Sequence, residues 1–400
     1  MIGRRPPRVE GNKKRIKPVH MKRLSLGSDC SGWCAEKIAC DYAGIPCVQS
    51  FACDYDKDVK RLILDNYEVG TFVDNVHDPA HKLLPSTDVY VAGFPCQPYS
   101  IAGEHGGAQD ERASVVDPII DHIGSKKPKL IVLENVLGLA TKPHIDHFRN
   151  IMLKLRASTL DPHTREPRYL IHMRILNSLD FNTAQDRKRI FIVGIRRDLC
   201  RKRFKWPAKK QVKTPLKTFY DKREDGTIAR ERPEKTPEQS TIARNLKKAI
   251  KMIKKGGMDP RKRAFIVDIQ AGTTHESFTF NKCPTITARR GEDLGFYNTY
   301  LGRPMSLTEM AALQGVKRGY LNVDGISSRN SAGEGGTVVP PGRPLDRRDV
   351  TAWSLQNRTL EPVTDIGNTC TALCVFGAFP CCRPQCPCIS CQCWSLAGHS

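Results

Sequence analysis

Leu24-Ser-Leu-Gly-Ser-Asp-Cys-Ser-Gly-Trp33 decides how the rest of the chain is read. A short apolar strand, Leu24–Leu26, runs into a turn of small residues that opens an amphipathic stretch, Ala35–Ala43. Such a turn lets backbone approach a ligand closely, with helix N–H groups facing it. Outward from it the alternation continues. Strands are predicted at Val48–Cys53, Val89–Ala92, Leu130–Leu133, Tyr169–Leu176 and Arg189–Ile195, and helices at Lys57–Asn66, Val115–Gly124 and Ile145–Ala157. Strands separated by helices of this length predict an α/β fold with a mostly parallel sheet and ligands beyond the carboxyl ends of its strands.

The chain of 400 residues is 39% apolar and 26% charged, which excludes a collagenous or wholly disordered class. No apolar run approaches the roughly 20 residues of a membrane span, and the N-terminus lacks an apolar signal core. A soluble, intracellular protein without a membrane partner is expected. The net charge of +22 is concentrated in two segments. Residues 1–23 hold nine Lys/Arg against one Glu, and residues 201–263 hold 22 against seven Asp/Glu. A near-neutral body with two basic segments suits a polyanion, nucleic acid first. Of 16 cysteines, eight lie in 370–393 and five in 30–53, and they are expected to be reduced.

Residues 198–263 lose the alternation but contain one helical pattern, Thr241–Lys255. A strand pattern follows at Ala264–Ile269, then a helix at Ser306–Gln314 with a Ser306/Glu309 capping box. Residues 325–362, rich in Gly, Ser, Pro and Arg, read as a loop or insertion.

Four places carry chemistry. Asp54 ends the second strand, placed to accept hydrogen bonds from ribose hydroxyls, and Asp74 follows the third apolar stretch. No GxGxxG is present, which disfavours a dinucleotide. In Val89-Tyr-Val-Ala-Gly-Phe-Pro-Cys-Gln-Pro-Tyr-Ser100, Cys96 lies just past a buried strand on a turn stiffened by Pro95 and Pro98, a position for a nucleophilic thiol. The apolar run Leu130–Leu133 ends abruptly in Glu134-Asn135, and a carboxylate there needs a partner or a task. Arg187 and Arg189 point the same way if extended, towards an oxygen-rich substrate or Glu134.

Pro95-Cys96-Gln97, Glu134-Asn135-Val136, Gln185-x-Arg187-x-Arg189 and Ile366-Gly367-Asn368 occur in the order found in cytosine-C5 DNA methyltransferases, which the chain resembles from about Leu24 to Leu373. Pro284–Arg289 and Arg303–Gly315 look like the segments that follow that family's target-recognition region. The resemblance implies a Rossmann-like S-adenosylmethionine-dependent methyltransferase fold, helices on both faces of a mostly parallel sheet, with a smaller target-recognition domain. It implies Cys96, Glu134, Arg187 and Arg189 as catalytic residues: Cys96 attacks C6 of a flipped cytosine, Glu134 holds the ring, and the arginines order the pocket. It implies a cofactor site of Leu26, Ser28, Cys30, Gly32, Asp54, Tyr55, Asp74, Asn75, Pro95 and Asn368, and substrate contacts from Gln97, Ser100, Asn135 and Gln185. Double-stranded DNA is the implied partner.

The departures are specific. The family's first motif is Phe-x-Gly-x-Gly-Gly, whereas Gly27-Ser-Asp29-Cys-Ser31-Gly32 keeps only the last glycine. Asp54 stands where Glu is usual, and Asp365 where Gln is common. The chain divides into a basic arm (1–23), a catalytic domain (24–197), a target-recognition region (198–299), a return to the catalytic domain (300–378, with the 325–362 insertion) and a Cys-rich tail (379–400). The tail is a candidate structural zinc site, although its spacing matches no standard pattern of ligands; no metal is expected in the catalytic site. Basic runs in the arm suit nuclear import in a eukaryote, the cytoplasm otherwise. Two alternatives stay open: an RNA (tRNA) cytosine-C5 methyltransferase, and a catalytically weak nucleic-acid-binding protein that keeps the fold.

Overall fold

A computed structural model describes residues 23–95, 114–142, 144–210, 213–230, 241–271, 278–287, 290–291 and 295–322. Its larger sheet contains β1 (Leu24–Asp29), β2 (Cys47–Cys53), β3 (Val69–Val73), β4 (Val89–Ala92), β5 (Leu130–Val136), β6 (Tyr169–Asn177) and β7 (Lys188–Arg196). The strand order is β3-β2-β1-β4-β5-β7-β6. The first five strands pair in parallel, whereas β7 runs antiparallel between β5 and β6. The antiparallel edge has a local cause: only a short turn, residues 178–187, joins β6 to β7, too short for a helical crossover. The order reverses at β1/β4, where an open α/β sheet forms its ligand crevice.

Helices α1 (Ala35–Tyr42), α2 (Lys57–Asn66), α3 (Val116–Lys126) and α4 (Ile145–Ser158) connect these strands. Asp56 caps α2, accepting from the backbone N–H groups of Asp58 and Val59 at 2.8 and 3.1 Å. Each helix turns an apolar stripe to the sheet: Val59, Leu62 and Ile63 of α2, and Ile119, Ile120 and Ile123 of α3. Phe51, Tyr90, Ile131 and Leu133 fill the core between sheet and helices.

Pairing between β1 and β2 slips by one residue between Leu26 and Gly27, and the Phe51 ring fills the space this opens. A Cβ at Gly27 would stand 2.2 Å from Phe51 Cε1. Gly27→Ala is therefore expected to cost about 1–3 kcal/mol by overpacking. Thermal denaturation would register this as a drop of about 2–4 °C per kcal/mol, and an unchanged midpoint would refute the packing account.

A smaller antiparallel sheet follows, in the order β11-β10-β8-β9, from β8 (Phe265–Asp268), β9 (Phe278–Phe280), β10 (Phe296–Asn298) and β11 (Arg303–Pro304). Helix α5 (Thr241–Lys255) packs Leu246 and Ala249 on Val267 and Tyr297. Helix α6 (Leu307–Leu313) starts at Ser306 with the expected capping box. Its buried Glu309 accepts from Asp221 N and Arg303 Nη2 at 2.8 and 2.9 Å. Beyond α6 the chain returns to α1, where Lys317 N donates to Tyr42 Oη at 2.7 Å and Val316 packs near Trp33 and Ile38.

Candidate active site

The turn after β1 is built from left-handed backbone. Cys30, Gly32 and Cys34 have φ of 51°, 52° and 51°. Cysteine in that region costs about 1–2 kcal/mol per residue, so packing must hold the turn in place. Ser31 does much of this: its N–H donates to Cys53 O at 3.0 Å, and its Oγ accepts from Cys53 N at 3.0 Å. Gly32 N donates to Asp54 Oδ2 at 3.0 Å, and Asp56 N to Asp54 Oδ1 at 3.1 Å. Each oxygen of Asp54 keeps lone-pair capacity for a hydroxyl. Leu26 and Ser28, expected at the cofactor, are buried: Leu26 lies in the apolar core, and Ser28 Oγ bonds Ser31 and Gln49.

Asp74 and Asn75 follow β3. Asp74 pairs with Lys60 Nζ of α2 at 2.7 Å, a partner the sequence reading did not name, and Asn75 Oδ1 accepts from His77 N at 3.0 Å. Tyr55, which follows Asp54, is exposed.

Behind the turn sits a polar cluster that was not anticipated. The buried Asp29 accepts a hydrogen bond from Tyr90 Oη, and the same oxygen, Oδ2, lies 2.8 Å from His81 Nε2. Its Oδ1 has no hydrogen-bond partner among the described residues. The only sequence hint was that Asp29 departs from the family's glycine-rich motif. Burial, with Asp29, Asp54, Asp74 and Asp78 nearby, pushes the Cys53 thiol up, and burial with Asp54 and Asp29 does the same to Cys30. Burial beside these carboxylates disfavours the thiolate form of both cysteines.

His122 of α3 stacks on Tyr90, with centroids 4.7 Å apart, and neither ring nitrogen has a hydrogen-bond partner among the described residues. Burial, with Asp29 opposing and His81 and Lys126 adding slightly, lowers its pKa to about 4. A depressed histidine pKa makes folding favour the neutral ring, so stability is lost as pH falls from about 6.5 towards 4. His122→Phe is expected to remove about 2 kcal/mol of acid sensitivity at pH 5. Urea denaturation at pH 5 and 7.5 checks this; equal pH sensitivity in both proteins would refute it.

The second half of the site lies at the ends of β4 and β5. Arg189 Nε is 3.0 Å from Glu134 Oε1, and Arg187 Nη2 is 4.0 Å from the same oxygen. The β5–β7 register explains this. Val136 lies opposite Arg189 and Glu134 opposite Phe191, so Glu134 and Arg189 are diagonal neighbours on one face. Arg187 lies just before β7, and its Nη1 donates to Ile286 O at 3.3 Å. Gly93 joins the two halves: a Cβ there would lie 3.8 Å from Glu134 Oε2 and 3.9 Å from Cys30 O. Asn135 is buried, its Nδ2 donating to Phe94 O at 3.2 Å, so it ties β5 to the residues just after β4. Gln185 is fully buried, and its amide has no hydrogen-bond partner among the described residues. Cys96, Gln97, Ser100, Asn368 and the Cys-rich tail lie outside the described residues, and no group of three or more His, Cys, Asp or Glu able to hold a metal occurs among those described.

A crevice at the reversal of a mostly parallel sheet, acidic on one side and carrying a carboxylate–arginine pair on the other, is the architecture of S-adenosylmethionine-dependent methyltransferases. Entamoeba histolytica methyltransferase EhMeth has the same fold, with a TM-score of 0.51 and 14% identity over 80% of this chain and 95% of that one. The chain belongs to the C-5 cytosine-specific DNA methylase family, whose model matches residues 24–334. It is similar to the type II methyltransferase M.NgoBI of Neisseria gonorrhoeae, 35% identical over 37% of this chain and 44% of that protein. It is also similar to M.HhaI of Haemophilus parahaemolyticus, 30% identical over 45% of this chain and 52% of that protein. The chain thus spans about half the length of the curated relatives it matches.

S-adenosylmethionine is the cofactor of this family. The residues present fit it: an orphaned buried carboxylate oxygen on Asp29 and the surrounding acids favour a sulfonium and an ammonium, and Asp54 keeps acceptor capacity at the turn.

Proposed function

We propose that this chain methylates C5 of cytosine in double-stranded DNA. The observation that carries the reading is Glu134 held 3.0 Å from Arg189 across the cleft from the Cys30–Gly32 turn, one strand away from the loop that leads to Cys96. Residues of the turn, with Asp54, Asp74 and Asn75, would hold S-adenosylmethionine, which supplies an electrophilic methyl group. Cys96 as thiolate forms a bond to C6 of the extruded base, and the ring electrons shift to C5. Glu134 donates to the ring at N3 and accepts from the exocyclic amine, with Arg189 fixing its orientation and Arg187 ordering the O2 side. After C5 is methylated its proton passes to solvent water, the electron pair of that C–H bond re-forms the C5–C6 double bond and the C6–S bond breaks, releasing Cys96 as thiolate.

Residues 198–299, with 22 Lys/Arg in 201–263, supply phosphate contacts that hold the duplex without reading it. The test is transfer of labelled methyl to duplex DNA and to tRNA side by side. Label in duplex DNA is the expected result; label in tRNA alone would overturn the DNA assignment, and label in neither would overturn the catalytic one.

A further inference from the structure

The arginine pair is tied to the smaller sheet through Asp186. Its Oδ2 receives Lys282 Nζ at 2.6 Å, and its Oδ1 receives Asn177 Nδ2 at 2.8 Å. The backbone repeats the link: Asp186 N donates to Cys283 O at 2.7 Å and Cys283 N to Ala184 O at 2.7 Å. Thr285 Oγ1 adds a bond to Asp186 O at 2.8 Å. Residues 282–286, which leave β9, therefore lie along residues 184–187 like an added strand, with Arg187 bonded to Ile286 O.

A partly exposed ion pair contributes little stability by itself. Here the pair is 40% and 27% exposed, yet it fixes the residue adjoining Arg187, whose guanidinium lies at the 4.0 Å limit of contact with Glu134. A small displacement of that backbone would move Arg187 out of reach, and displacements of about 1 Å can cost about 100-fold in rate. We infer that Lys282 is a positioning residue: by clamping Asp186 it presents Arg187 to Glu134 only while the segment leaving the smaller sheet is docked. The inference rests on the activity proposed above.

The test uses the full chain, S-adenosylmethionine and a duplex carrying 5-fluorocytosine, which traps the covalent adduct. Adduct formation by the wild type is required first; its failure would count against the proposed activity itself. Lys282→Met is then expected to slow adduct formation and kcat about 10- to 30-fold. Cofactor Kd and DNA KM are expected within about twofold of wild type, and the melting temperature within about 2 °C. Lys282→Arg is expected to restore most of the rate. Asp186→Asn is expected to match Lys282→Met, and the double variant to be no slower than either single one. A wild-type rate in Lys282→Met, additive losses in the double variant, or a rate loss that tracks lost cofactor affinity or melting temperature would overturn the inference.

Discussion

Glu134→Gln is expected to lower the rate of methyl transfer by about 10²- to 10⁴-fold, the range contributed by a positioned acid or base. Glutamine preserves the shape and still accepts from Arg189, but it can neither supply a proton to N3 nor balance two guanidinium groups. Arg187 and Arg189, with side chains only 10% and 12% exposed, then face each other without their shared carboxylate. Stability is expected to fall by about 1–3 kcal/mol as a second effect, measurable by denaturant titration. Single-turnover kinetics at saturating cofactor separate the two. A Glu134→Gln enzyme within about tenfold of wild type would show that the carboxylate is a structural counter-ion to the arginines and not a participant in the chemistry.

Cys96→Ala is expected to reduce turnover by about 10⁴- to 10⁶-fold, the scale seen when a catalytic nucleophile is removed. Among the described residues, the thiols at the crevice are poor substitutes: Cys30 and Cys53 are both driven towards the protonated form by burial beside carboxylates. Binding of duplex DNA, which we propose rests on the basic region, is expected to remain. The 5-fluorocytosine adduct separates the outcomes: it is expected with wild type and absent from Cys96→Ala. If wild type forms no adduct while both proteins bind DNA equally, the chain is a binding protein that keeps the fold.

Most strands and helices were legible because each is written locally. The period of apolar residues, the Asp56 and Ser306 caps and the small residues after β1 need no distant partner to be read. β1 extends to Asp29, past the expected Leu26, because the small residues that look like a turn still pair with β2 and β4. The strands β9, β10 and β11 were not predicted: each is only two or three residues long, below the length at which alternation can be recognised. Among the site residues, Glu134 announced itself by ending an apolar strand. Asp54 was legible as the residue that follows the second strand, but its contact with Gly32, 22 residues away, could not be foreseen. Lys60 and Lys282 carried no local mark, being two lysines among many.

By itself the sequence determined the α/β class, the strand ends that carry Glu134 and Asp54 and the segregation of positive charge. These follow from local periodicity and composition. Only the tertiary structure decided that β7 inserts antiparallel beside β5, bringing Arg189 diagonally across from Glu134, that Asp29 is buried with one oxygen orphaned, and that Lys282 reaches Asp186 across 96 residues of chain. Such contacts arise when packing offsets the entropy of closing long loops, and no window of neighbouring residues encodes that balance.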